Sequence, residues 1–222
     1  MATYSTYIAS ASGSTQIGYI LLPMEPDDAL RYGIEQMAKA YSIHLVLVYG
    51  MDWNDDLTPW PAKAVFNREG DFGGHAETFL ATLTDQLLPN VESTLQLTAP
   101  HRTLIGISLS GLFALWAMCR TTAFHSVASL SGSLWYDGFV EWLSEQTPSV
   151  NRVFLSLGDR EKNTRNPRMA QVEKATVQVC DTLQSMFIPT IFTLFPGTHF
   201  SPLLPRLEMA LQQLVEPLQE AK

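Results

Sequence analysis

At 222 residues the chain fits one domain, large enough to bury roughly 70% of its unfolded surface without disulfide or metal staples. Its 14 basic and 22 acidic side chains give a net charge of −8 and a pI near 5.0, which argues against a phosphate-binding surface and against a nucleic-acid partner. Cys119 and Cys180 read as buried free thiols, the first basic residue is Arg31, and no apolar run approaches the ~20 residues of a membrane span, so a cytoplasmic location without a membrane partner is expected.

Short β-rich apolar runs alternate with longer helical ones, the pattern of a mostly parallel sheet with helices on both faces. In chain order, residues 4–9 are expected as an edge strand and 16–22 as an inner one. Residues 27–41 follow as a helix, with Asp27 as cap and Leu30, Ile34 and Met37 on one face. After a strand at 44–49 comes the longest irregular stretch, 50–74, which carries Trp53, Asn54, Asp55, Asp56, Trp60, Phe66 and Phe72. So many aromatics in so long a loop point to a pocket wall rather than disorder. Residues 76–97 space Phe79, Leu80, Leu83, Leu87 and Leu88 helically, with Pro89 expected to kink or divide the helix.

A strand at 102–107 then leads into an apolar helix at 112–118, and a further strand is expected at 125–130. Residues 130–152 are too few for a large cap domain, so the site should be open. After a strand at 152–157, Asn166 before Pro167 resembles a cap and first-turn proline opening a helix through about Met186. A strand at 190–195 and an amphipathic helix at 202–218 close the chain. No repeat or linker divides it, so 1–222 reads as a single domain.

The chemistry is legible where the strand at 102–107 meets its helix, at Gly106-Ile107-Ser108-Leu109-Ser110. A serine held in a strained strand-to-helix turn needs small residues two places before and after it, and Gly106 and Ser110 meet that need around Ser108. Taking Ser110 as the nucleophile instead would put Leu112 in a cramped place. The bland reading, a small residue at a tight turn, loses weight because partners follow in order. The strand at 152–157 runs into Gly158-Asp159-Arg160-Glu161, and the strand at 190–195 into Pro196-Gly197-Thr198-His199. Serine, then acid, then histidine is one of three known orders for such a set. Ser108 is the candidate nucleophile, His199 the base, and Glu161 or Asp159 the acid.

The remaining histidines, His44, His75, His101 and His125, read as structural or solvated, although His75 lies beside the aromatic loop. None pairs with an acid or cysteine at metal-ligand spacing, and Asp52, Asp55 and Asp56 read as a turn-forming acidic cluster, so no metal and no cofactor are expected. Trp135, Tyr136 and Phe200 follow strand ends on the side where α/β sheets bind ligands. With Trp53 and Trp60 they are expected to line a pocket for acyl or aryl groups.

Three further segments carry a resemblance. The elbow segment 104–115, the run Ser133-Leu134-Trp135-Tyr136-Asp137, and Gly73-Gly74-His75-Ala76-Glu77-Thr78-Phe79-Leu80 with Leu87-Leu88-Pro89 resemble the putative-esterase family of α/β hydrolases, which includes enterochelin, salmochelin and feruloyl esterases and esterase D. The resemblance runs from about Gln16 onward. It implies an α/β-hydrolase fold and a serine carboxylesterase that forms an acyl-enzyme on Ser108, acts on a small-molecule ester and uses no cofactor. A siderophore trilactone esterase, an acyltransferase, or a catalytically silent binding protein are the alternatives; no oligomeric state follows. Family members usually place the acid three residues after the glycine that ends the strand, which implies Glu161, leaving Asp159 to shape the turn. Two places depart from the family pattern. Ser110 replaces a glycine, and Leu22-Pro23-Met24 stands where many members carry a His-Gly pair. Because proline has no N–H, Met24 is the expected second oxyanion donor beside Leu109.

Overall fold

The computed structural model describes residues 4–66 and 70–215. Its scaffold is a seven-stranded sheet in the order β1-β3-β2-β4-β5-β6-β7. The strands are β1 (Ser5–Ala9), β2 (Gln16–Leu21), β3 (His44–Tyr49), β4 (His101–Ile107), β5 (Ser126–Leu130), β6 (Arg152–Gly158) and β7 (Thr190–Phe195). β1 pairs antiparallel to β3, and every other pair is parallel. The inner strands are covered on both faces, which is why they read as continuous apolar runs; every residue of β5 is buried.

Strand alternation divides the core in two. Tyr19, Val46, Leu104, Val127, Val153 and Leu155 face one apolar layer, which includes α2 (Ala76–Thr82), α3 (Leu88–Thr94), α4 (Leu109–Ala117), α5 (Phe139–Ser144) and α6 (Val172–Ser185). Ile20, Leu45, Leu47, Ile105, Ala128 and Phe154 face the other, which receives Ile34 and Ala38 of α1 (Asp28–Tyr41) and Leu207, Ala210 and Leu211 of α7 (Leu203–Leu214). Asp27 caps α1 by accepting the Leu30 N–H at 2.8 Å, and Ser42, at φ 49°, ends it.

The helix expected at 76–97 is divided. Residues Leu83–Leu87 form a π-helical turn between α2 and α3, and the Leu88 N–H bonds the Leu83 carbonyl five residues back. The widened turn ends just before Pro89, whose missing N–H interrupts the ordinary ladder. The helix expected to open at Pro167 needs correction. Asn166 Oδ1 accepts from the Arg168 and Met169 N–H groups at 3.0 and 3.3 Å, which caps a 3₁₀ turn at Met169–Gln171, and α6 starts only at Val172. The segment Phe139–Ser144 forms a helix that its six residues are too few to announce by periodicity. The expected end of the last helix, 216–218, lies outside the described residues; among the described ones α7 runs to Leu214. Among the described residues no helix is long and apolar enough to cross a membrane. Cys119, half-buried, and Cys180, buried, are both free thiols.

Candidate active site

Parallel strands bring their carboxyl ends to one edge of the sheet, so residues far apart in sequence meet there. Ser108 follows β4, Ser131 and Ser133 follow β5, Glu161 follows β6 and His199 follows β7. Ser108 has φ 58° and ψ −122°, a conformation that costs a non-glycine residue about 1–3 kcal/mol. Surrounding bonds hold it there: its N–H donates to the Leu130 carbonyl at 3.1 Å, and its carbonyl accepts from Gly111, Leu112 and Ser133 at 3.0, 3.2 and 3.0 Å. Two residues on, the fully buried Ser110 uses its hydroxyl to accept the Ile107 N–H at 2.7 Å. The side chain of Ser108 is left free to point at the site rather than to cap α4.

The Ser108 Oγ lies 3.1 Å from His199 Nε2, and His199 Nδ1 lies 2.9 Å from Glu161 Oε2. The other carboxylate oxygen of Glu161 accepts from the Ser131 hydroxyl at 2.6 Å and from the Gly158 N–H at 2.7 Å. Burial acts to raise the Glu161 carboxyl, but hydrogen bonds from His199, Ser131 and Gly158 outweigh it and hold the group below its ordinary value. An ionised carboxylate can only accept, so Nδ1 carries the imidazole proton and Nε2 is free to accept from Ser108. Asp159 is used elsewhere. Its Oδ1 accepts the Gly197 N–H at 2.9 Å and its own N–H donates to the Phe195 carbonyl at 2.9 Å, which shapes the loop carrying His199.

Ser108, Leu109 and His199 open onto a cavity of about 550 Å³ walled by Trp53, Phe66, Phe72, Trp135 and Phe200, with Val65 and Met169 adding apolar surface. The loop at 50–74 therefore forms much of the wall. Asp52, Asn54 and Ser133 supply its polar points. The Ser133 Oγ stands 3.4 Å from the Ser108 Oγ, and no motif marked Ser133 in advance.

A family model described as Putative esterase matches residues 27–202 of the chain, well over half of it. The chain belongs to the Putative esterase family. The Bacillus subtilis (strain 168) protein named Uncharacterized protein YbbA is 34% identical to this family member over 135 residues, 59% of this chain and 54% of that protein. The chain thus spans about half the length of that relative. An IroE-like serine hydrolase from Shewanella oneidensis superposes with a TM-score of 0.76 at 18% identity, over 96% of this chain and 80% of that one. The siderophore hydrolase EstA from Aspergillus nidulans does so with a TM-score of 0.70 at 20% identity, over 96% and 89%. At such identities the likeness shows the fold, and this esterase-family member has the α/β-hydrolase one.

Several residues expected at the site of this esterase-family member stand elsewhere. Tyr136 is only 2% exposed, its hydroxyl donates to the Trp60 carbonyl, and the two rings pack 6.0 Å apart. Trp60 Nε1 donates to the Asp137 carbonyl at 3.0 Å, so this pair braces the wall from behind, where Phe72 and Trp135 face the cavity. Met24 extends its side chain outward at 71% exposure, away from the cavity lining; the group expected of it is the backbone N–H, and Leu109 is itself a lining residue. His44 uses both ring nitrogens on the backbone of Ala11 and Ser14, and His75 lies 3.5 Å from Asp55. His101 and His125 stack 4.1 Å apart at the opposite end of the sheet. The Asp52 carboxylate accepts from the Asn54 and Asp55 N–H groups, and Asp56 accepts from Asp52, as turn-forming acids do.

Proposed function

We propose that the chain is a single-domain serine carboxylesterase that works through an acyl-enzyme on Ser108. The observation that carries this reading is the row Ser108–His199–Glu161, with contacts of 3.1 and 2.9 Å, opening on an apolar cavity. The Ser108 Oγ attacks the ester carbonyl carbon as its proton passes to His199 Nε2. The tetrahedral oxyanion is held by the Leu109 N–H and by a donor from the loop after β2, for which Met24 is the candidate. As the carbon–oxygen bond to the alcohol breaks, His199 returns the proton to the leaving oxygen. A water molecule then repeats both transfers and frees Ser108. Glu161 stays ionised throughout, fixing the imidazole and stabilising its charged form. No cofactor enters this scheme. The two free thiols suit a cytoplasmic setting.

Aromatic walls favour an ester with an apolar acyl or aryl group. A siderophore trilactone is the second reading, supported by the name of the fold neighbour EstA. Against it, among the described residues the cavity lining carries the acidic Asp52 and no lysine or arginine, a poor match for an anionic ferric complex. A panel of p-nitrophenyl esters of increasing chain length, run beside hydrolysis of a ferric trilactone siderophore, tests the reading. Turnover of the simple esters is expected, with kcat falling about 10⁴-fold to 10⁶-fold in Ser108→Ala. Turnover of the siderophore alone would move the substrate to the second reading, and full activity in Ser108→Ala would overturn both.

A further inference from the structure

The apolar stripe of α7 contains one charge. Arg206 lies among Leu207, Ala210 and Leu211 on the buried side of the helix and is only 4% exposed. Its Nε is buried without a hydrogen-bond partner among the described residues, and its guanidinium lies 5.6 Å from the Phe195 ring centre. A charge so placed is costly, and a methionine or leucine would fill the same space without that cost. What it does make are two aimed hydrogen bonds from Nη1, to the Ser131 hydroxyl at 2.9 Å and to the His199 carbonyl at 3.3 Å.

Ser131 is equally unexpected. It has φ 49°, the left-handed region that glycine occupies without strain, yet the position keeps a hydroxyl that is 1% exposed. That hydroxyl accepts from Arg206 and donates to Glu161 Oε1 at 2.6 Å. One guanidinium therefore grips both halves of the acid–base couple, the carboxylate through Ser131 and the histidine loop through its backbone.

We infer that Arg206, acting through Ser131, is a positioning residue that holds Glu161 and His199 in register for Ser108 and restrains the charge that Glu161 exerts on the imidazole. The inference rests on the esterase reading. Glu161 faces Arg206 from the turn after β6, and His199 from the loop after β7. Asp159 and Arg160 on the same turn pair with each other at 3.8 Å, and Glu208 of α7 accepts from Tyr41. Burial lowers the Arg206 pKa and the Glu161 charge opposes that; a guanidinium remains charged in such a place.

The test compares Arg206→Met, Arg206→Lys, Ser131→Ala and wild type for kcat, KM and the pH dependence of kcat/KM on a p-nitrophenyl ester, with thermal melts alongside. In Arg206→Met, kcat should fall roughly 10-fold to 100-fold with KM little changed, as expected when the base is misplaced. A nearby cation opposes imidazolium formation, so its removal should also move the acid limb of kcat/KM to higher pH. Arg206→Lys should restore the limb, and Ser131→Ala should shift it in the same direction by less. A merely structural arginine would lower the melting temperature and leave the limb where it is. If Arg206→Met does not fold, Ser131→Ala decides. An unshifted limb with wild-type kcat in whichever variant folds would overturn the inference while Ser108→Ala remains inactive. Activity in Ser108→Ala would instead bring down the esterase reading beneath it.

Discussion

Gly106 and Ser110 touch through their backbones: a Cβ on Gly106 would fall 1.9 Å from the Ser110 carbonyl oxygen. The obstacle is main chain at the first turn of α4, so no side-chain rotation relieves it. Gly106→Ala should therefore open the elbow. Strain of this kind costs about 1–3 kcal/mol and should lower the melting temperature by about 2–12 °C, with kcat falling roughly 10²-fold as Ser108 shifts. Calorimetry and ester kinetics on the purified variant check both, and wild-type kcat would contradict the assignment of strain to this contact.

Ser110 stands where the family usually has glycine, and its hydroxyl has taken up specific bonds. It accepts the Ile107 N–H at 2.7 Å and is within 3.0 Å of the Leu21 carbonyl on β2. Ser110→Ala leaves the Ile107 amide without that acceptor, at a cost of about 1–3 kcal/mol. The melting temperature should drop by roughly 2–12 °C. Thermal melts that coincide with wild type would show that the bonds contribute nothing.

The two acids near His199 separate by their partners. Glu161→Gln should keep the fold and lower kcat roughly 10²-fold to 10⁴-fold, because an amide supports the wrong tautomer. Asp159→Asn keeps an oxygen to accept the Gly197 N–H, so its loss should be far smaller. Steady-state kinetics on both folded variants should rank them in this order, and the reverse ranking would transfer the role to Asp159.

The carboxyl of Glu161 is held below its ordinary value of 4.5 in the folded chain, so the unfolded chain binds the proton more readily. Its contribution to stability is therefore present above the unfolded pKa and is lost as pH falls through the lower folded one. Chemical denaturation of wild type and Glu161→Gln should show a stability gap that is constant near neutral pH and narrows below about pH 4.5. A gap that widens on acidification would reverse the sign of the shift.

Much of the scaffold could be read from the chain because local signals agreed with the fold. The strand at Thr190–Phe195 and the Asp27 cap are where periodicity and cap chemistry put them. What failed was set by contacts distant in sequence. Asn166 carries a cap signature, but its Nδ2 donates to the Val65 carbonyl on the pocket loop, and that docking keeps the segment irregular before α6. Trp60 and Tyr136 share an aromatic composition with the true wall, and only the sheet-edge geometry separates lining from bracing residues. Ser108, Glu161 and His199 could be singled out because each follows a strand in parallel order, and the structure brings their side chains into contact at 3.1 and 2.9 Å. Ser133 had no such marker. Arg206 did carry one, an arginine spaced three and four residues from Leu203 and Ala210 on an otherwise apolar helix face.

The proposed chemistry depends on Ser108 being the activated nucleophile. A fluorophosphonate probe forms a covalent bond only with a serine whose proton has a nearby acceptor, and the His199 Nε2 at 3.1 Å is that acceptor. Incubating wild type and Ser108→Ala with the probe, followed by peptide mass spectrometry, tests this without knowledge of the natural substrate. A single adduct on Ser108 is expected in wild type and none in Ser108→Ala. An adduct on Ser110, Ser131 or Ser133, or labelling that persists in Ser108→Ala, would contradict it.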